Sequence, residues 1–141
     1  MQPFVTIVTI VFRDRKGFEA TAQSVVSQSY THFEWVVVDG GSEDGTKEAI
    51  EGYADRIGAW VSEPDKGIYD AMNKGIQLAK GEWILFMNAG DIFAYSNAIE
   101  DLVGQGLTDA DLVYGGHLVQ FGEWAKPRPP LPPEHLWKGM V

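Results

Sequence analysis

Three short runs of apolar residues set what this chain can fold into: Phe4 to Phe12 (FVTIVTIVF), Trp35 to Val38, and Trp83 to Met87 (WILFM). The first is β-branched almost throughout and reads as a central strand. The second is the buried run of a strand over Phe33 to Asp39. The third is too short for a typical globular helix and fits a strand buried on both faces, as in a parallel sheet. Between the runs, apolar residues recur at helical spacing instead. Phe18, Ala22, Val25 and Val26 follow a polar turn at Arg13 to Lys16, with Asp14 placed to cap the helix. Ala49, Ile50 and Tyr53 mark a short helix over Thr46 to Ala54. Ile68, Ala71, Met72, Gly75, Ile76 and Ala79 mark another, closed by Lys80 and Gly81.

The weaker signals extend the same alternation. Ile57 to Val61 reads as a strand near an edge, Ser96 to Val103 as a helix, and Asp111 to Tyr114 as a fifth strand. Gly115 and Gly116 would bend the chain so that His117 to Phe121 pairs back as a hairpin. Strands alternating with helices of about three turns imply an α/β, Rossmann-like fold. The sheet should be mainly parallel, and right-handed crossovers would put helices on both its faces. The composition changes at Lys126, just ahead of PRPPLPP. Residues 1–122 are therefore expected to form the sheet domain. Residues 123–141 are expected to form a Pro-rich connector and the start of a further element, leaving the fold to continue beyond them.

Composition narrows the function. At 141 residues the chain can bury a real core. A formal net charge of −9 argues against a general nucleic-acid or anionic-membrane surface. An anionic substrate remains compatible, because a metal and a few local cations can reverse the field inside a cleft. Without cysteine there is no disulfide framework and no thiolate chemistry. Met1 to Phe12 lacks the basic start and small-residue cleavage site of a secretory signal, and no apolar run approaches a membrane span. The expected location is cytoplasmic.

Ligands of open α/β sheets bind at the carboxyl ends of the strands, and three polar tips fall there. Asp39-Gly-Gly-Ser-Glu-Asp-Gly45 follows the second strand. A carboxylate at Asp39 can accept from a base N–H or a ribose hydroxyl, and Gly40 and Gly41 clear space for a ring. The same residues would equally make a Gly-rich turn into a helix capped by Asp44 or Thr46. Asp65-Lys66-Gly67-Ile68-Tyr69-Asp70, with Asn73 and Lys74 one turn on, offers a lysine for a phosphate, or a plain surface loop with Asp70 at a helix start. Asn88-Ala89-Gly90-Asp91 offers a carboxylate for Mg²⁺ or Mn²⁺ at Asp91 and a carbonyl at Asn88, or an ordinary turn. No P-loop, no GxGxxG after the first strand and no calcium-loop register is present. His32, His117 and His135 have no metal-ligand spacing.

VVVDGGSEDGT, EPDKGIYDAMNKGIQLAKGEW and ILFMNAGD, in this order and spacing, resemble the amino-terminal half of a family 2 glycosyltransferase of the GT-A fold, over about Val5 to Tyr114. The resemblance implies an inverting transferase that uses a nucleotide sugar, often a UDP-sugar, with Mg²⁺ or Mn²⁺. Its acceptor would be a saccharide or lipid-linked molecule, as in polysaccharide biosynthesis, and the complete enzyme could associate peripherally with a membrane. Asp39 would contact the base, and Thr9, Val11 and Arg13 would line the nucleotide pocket. Gly41, Lys66, Gly67, Asp70, Asn73 and Asn88 would contribute to donor binding, and Asp91 would sit at the metal and diphosphate. Asn88 and Gly90 stand where many relatives carry the acids of a DxD motif, which leaves Asp91 as the main anionic ligand. Met72 stands where many carry arginine. No residue matches a motif for the catalytic base, and a chain without one should bind a nucleoside diphosphate weakly and transfer no sugar. Two other classes compete: a nucleotide-binding module without catalysis, and a sugar-phosphate nucleotidyltransferase, for which FRDRKG is a poor loop after the first strand.

Overall fold

The computed structural model describes residues 4–107, 110–113, 117–121 and 123–129. The chain divides into two compact units, Met1–Gly106 and Leu107–Val141.

In the first unit, β1 (Val5–Val11) is buried along its whole length, as its β-branched, mostly apolar sequence implies. It pairs in parallel with β2 (Phe33–Asp39) on one side and β4 (Trp83–Phe86) on the other. β3 (Ala59–Ser62) pairs in parallel with β2, so the strand order is β3-β2-β1-β4. The chain walks outward from β1 to β3 and then returns to the far side of β1. The order therefore reverses between β1 and β4, the switch point at which open α/β sheets leave a crevice at their carboxyl edge.

Side chains alternate across the sheet, and each face has its own helices. On one face lies α1 (Arg15–Val26), whose Phe18 stacks on Trp35 of β2 at 5.9 Å. Tyr53, just after α2 (Thr46–Glu51), meets both rings edge-on. On the other face, Val8, Ile10, Val36 and Val38 form a core cluster with Ala71 of α3 (Ile68–Leu78), joined by Met72, Leu78 and Phe86. α3 comes close here because Gly75 has no side chain: a Cβ there would lie 2.4 Å from Val8 Cγ1. α4 (Ala98–Gly104) buries Ile99 and Val103. This is the α/β arrangement expected, with a twisted parallel sheet and helices on both faces.

Several boundaries differ from the sequence reading. β4 is not buried on both faces. Among the described residues only β1 flanks it, and Ile84 is exposed. α2 ends at Glu51, and the next residues form turns that still deliver Tyr53 to the core. β3 is an edge strand, as its weaker run implied.

In the second unit, β5 (His117–Phe121) pairs antiparallel with β6 (Trp124–Arg128), His117 opposite Arg128 and Phe121 opposite Trp124. His117–Phe121 thus pairs onward, not back. The fifth strand expected at Asp111 to Tyr114 does not form over 111–113, and Tyr114 lies outside the described residues. Leu112 and Val113 are exposed there, so the short run has no packed face to hold it extended. The proline-rich segment lends its first residues to β6, with Pro127 opposite Leu118. Both strands of a two-stranded ribbon are edges, where a missing N–H is tolerated. Residues 130–141 lie outside the described residues. Among the described residues, no helix is long and apolar enough to cross a membrane.

Candidate functional site

Asp39 ends β2 at the carboxyl edge, and its carboxylate is closed off from solvent. Oδ1 accepts from the Ser42 hydroxyl at 2.5 Å. Oδ2 accepts from the Ser42 backbone N–H at 3.0 Å and from the Ser62 hydroxyl at 2.6 Å. A carboxylate offers about four acceptor positions, and these three bonds use all but one, at Oδ1. Ser42 in turn receives the Arg13 backbone N–H at 2.7 Å, which fastens the loop after β1 to the loop after β2. Arg13 itself has φ 50°, an uncommon conformation for a non-glycine residue, and its guanidinium lies 4.9 Å from the centre of the Phe12 ring. Gly41 has φ 85° and backs onto Pro64, whose nitrogen would stand 3.1 Å from a Cβ at Gly41. The Asp65 carboxylate would similarly crowd a Cβ at Gly40, at 2.8 Å.

Asp65 Oδ1 accepts from Gly67 N–H, and Asp70 Oδ2 accepts from Lys66 N–H at 3.0 Å, so both acids shape the loop before α3. Lys74 reaches back from α3 to Glu63 at 3.0 Å, the Pro64 carbonyl at 3.2 Å and Asp70 at 3.8 Å. Its hydrogen bond to Glu63, then the nearby acids, hold the ammonium above the usual lysine range. The Lys66 side chain, Gly67 (φ 115°) and Asn73 are exposed.

After β4, the Asp91 N–H donates to the Asn88 carbonyl at 2.9 Å with Gly90 at φ 96°, the pattern of a type II turn. Ala89 N–H bonds the Ile10 carbonyl at 2.9 Å, which pins this turn beside the end of β1. The Asp91 side chain is exposed and takes no hydrogen bond or ion pair among the described residues. Asn88 Oδ1 is buried without a partner among the described residues.

No group of three or more His, Cys, Asp or Glu that could hold a metal occurs among the described residues. A divalent cation bound mainly through substrate phosphates needs only one or two protein oxygens. The free Asp91 carboxylate and the orphaned Asn88 side-chain Oδ1 fit that smaller requirement.

The structure brings Arg13, Asp39, Gly41 and Asp65 to one stretch of the edge, and sets the turn with Asn88 and Asp91 next to β1. It does not bring Thr9 there: the Thr9 hydroxyl is buried and accepts from the Trp35 indole N–H at 2.9 Å. Val11 is likewise closed in the core. The sequence reading missed Ser42, Ser62 and Thr21. The Asp-x-x-Ser spacing, a side-chain oxygen bonding an N–H a few residues on, is a signal for Ser42. Thr21 lies on a helix face with no local signal.

The chain is similar to known glycosyltransferases. An uncharacterized glycosyltransferase of Mycobacterium tuberculosis is 39% identical over 109 residues, covering 74% of this chain and 42% of the relative. A PGL/p-HBAD biosynthesis glycosyltransferase of the same species is 33% identical over 124 residues, covering 84% and 48%. A mannosyltransferase from Pyrobaculum calidifontis, of GT-A type, superposes with a TM-score of 0.70 at 25% identity, covering 77% of this chain and 33% of that one. The chain spans less than half the length of each. The glycosyl transferase family 2 model matches residues 6–139, and the chain belongs to that family.

Proposed function

We propose that this chain forms the nucleotide-sugar-binding part of an inverting glycosyltransferase, acting with a UDP-sugar donor and a saccharide or lipid-linked acceptor. The observation that carries the reading is the pairing, on either side of the β1 end, of a buried Asp39 carboxylate and a free Asp91 carboxylate. The first is held by Ser42 and Ser62 with an acceptor position to spare, suited to a base N–H. The second is suited to a diphosphate that arrives with a cation. The mannosyltransferase neighbour is in complex with GDP-Man and Mn²⁺, which supports the same class of donor and makes GDP the second nucleotide to test.

In such a transfer the nucleoside diphosphate must leave while positive charge grows at the anomeric carbon. A bound Mg²⁺ or Mn²⁺ would stabilise that leaving group as a Lewis acid. Asp91 and Asn88 would hold it. Arg13 stands at the β1 end between the two sites and supplies a cation near the donor. Gly41, Lys66, Gly67, Asp70 and Asn73 complete the proposed donor contacts, and the buried Thr9 and Val11 take no part. A thermal-shift screen of UDP, GDP, dTDP and CDP, each with and without Mn²⁺, tests the reading. Stabilisation by one nucleotide, enhanced by Mn²⁺, is expected; no shift with any of them overturns it.

A further inference from the structure

α1 carries two kinds of contact on two faces. Phe18, Ala22 and Val25 are buried toward the sheet. Thr21 and Ser24 of α1, and Gln28 just past its end, at spacings of three and four residues, turn instead to the segment after β4 and bond only its main chain. Thr21 Oγ1 lies 2.7 Å from the Asp91 carbonyl and 3.0 Å from the Gly90 nitrogen. Ser24 Oγ accepts from Phe93 N–H at 3.3 Å. The Gln28 amide donates to the Tyr95 carbonyl at 2.9 Å and accepts from Ile99 N–H at 3.2 Å.

Thr21 is the member of this series that reaches the candidate site. It is fully buried. A hydroxyl has one proton to give and two lone pairs to offer. The shortest contact, to the Asp91 carbonyl, takes the proton. The Gly90 N–H supplies a bond in return. The Asn88 carbonyl at 3.3 Å and the helix's own Gly17 carbonyl at 3.1 Å are the longer alternatives. The bonds fall on both sides of the Gly90–Asp91 peptide, and so fix the direction in which the Asp91 side chain leaves the turn.

We propose that Thr21 is a positioning residue for the diphosphate end of the donor site: its hydroxyl sets the orientation of the Asn88–Asp91 turn and so of the free carboxylate. This rests on the donor-site reading above. A methyl in place of the hydroxyl takes from the Gly90 N–H and the Asp91 carbonyl their part-buried partner, and only water can replace it. The turn must then rotate toward water, and Asp91 with it.

The test compares Thr21→Val and Thr21→Ser in the 141-residue chain, with two readouts. The first is hydrogen exchange of the Gly90 amide by NMR, without ligand. The second is the factor by which Mn²⁺ tightens UDP binding, by titration calorimetry. Thr21→Val should speed Gly90 exchange about tenfold, the equivalent of one lost hydrogen bond. It should also reduce the Mn²⁺ factor about tenfold, as loss of an outer partner of a metal ligand does. Exchange in the β1 and β2 core should not change. Thr21→Ser, which keeps the hydroxyl, should restore both values to within about twofold of the parent on the same grounds. Unchanged Gly90 exchange in Thr21→Val overturns the role of Thr21 while leaving the donor site standing. A loosened turn with an undiminished Mn²⁺ factor overturns it too. A parent chain whose UDP binding ignores Mn²⁺ overturns the diphosphate reading itself, and the role with it.

Discussion

Ser62 donates its hydroxyl to the Asp39 carboxylate at 2.6 Å, across the last register pair of β2 and β3. The tip of the edge strand is thus bonded directly to the tip of its neighbour, beneath the loop that follows. A hydrogen bond to a buried charge is worth about 1.5–3 kcal/mol. Ser62→Ala should lower unfolding free energy by about that much, read from the denaturant midpoint.

Asp39→Ala should act on two measurements at once. The sequence places Asp39 at a loop tip, where its loss would leave the fold untouched. The structure buries it under the Ser42 and Ser62 hydroxyls. Removing the carboxylate should weaken nucleotide binding by about 1–3 kcal/mol and lower stability by a similar amount, because buried donors lose their acceptor. Calorimetric titration with UDP and a urea melt separate the two. A folded mutant with parental UDP affinity would sink the base contact.

Asp91→Asn should leave stability unchanged, since the exposed side chain has no partner to lose among the described residues. The Mn²⁺-dependent part of UDP affinity should vanish. If Mn²⁺ helps mutant and parent equally, another group is the ligand.

Gly75→Ala should cost about 1–3 kcal/mol, the usual penalty for overpacking, because the new methyl would overlap Val8 Cγ1. The accompanying Val8→Ala change should recover part of it. Additive losses in the double mutant would show that the two residues do not meet.

Lys74 gives a pH dependence of known sign. Its bond to Glu63 raises its pKa above the ordinary 10.5. Its contribution to holding the loop before α3 is therefore complete below pH 10.5 and is lost as pH rises through the folded value above it. Limited proteolysis at residues 63–67 should be flat from pH 7 to about 10 and should rise at neutral pH in Lys74→Met.

The sheet was legible because its strands are continuous apolar runs. Val36 to Val38 admit no other placement, and β2 falls at Phe33–Asp39 as read. What sequence could not supply was the outcome of competition for hydrogen bonds. The family resemblance makes Thr9 a pocket residue, yet Trp35 claims its hydroxyl from inside. Asp39 reads as a ligand residue, and the serines that hold it are distant in sequence or unremarked beside it. Pro127 reads as a strand breaker and sits in a strand, because a ribbon with two edges does not need its N–H. Ile84 reads as buried on the strength of its neighbours in the run, although burial depends on what flanks the strand.

The fastening of residues 90–99 to α1 has a consequence for change in this molecule. Thr21, Ser24 and Gln28 grip peptide groups, and every residue type except proline offers the same peptide groups. Apart from Gly90 with its positive φ and the buried Ile99, the side chains on that segment can therefore be rewritten without loosening the clasp that holds it. A scaffold of this kind separates the question of where a loop sits from the question of what it recognises, and leaves the second open to substitution.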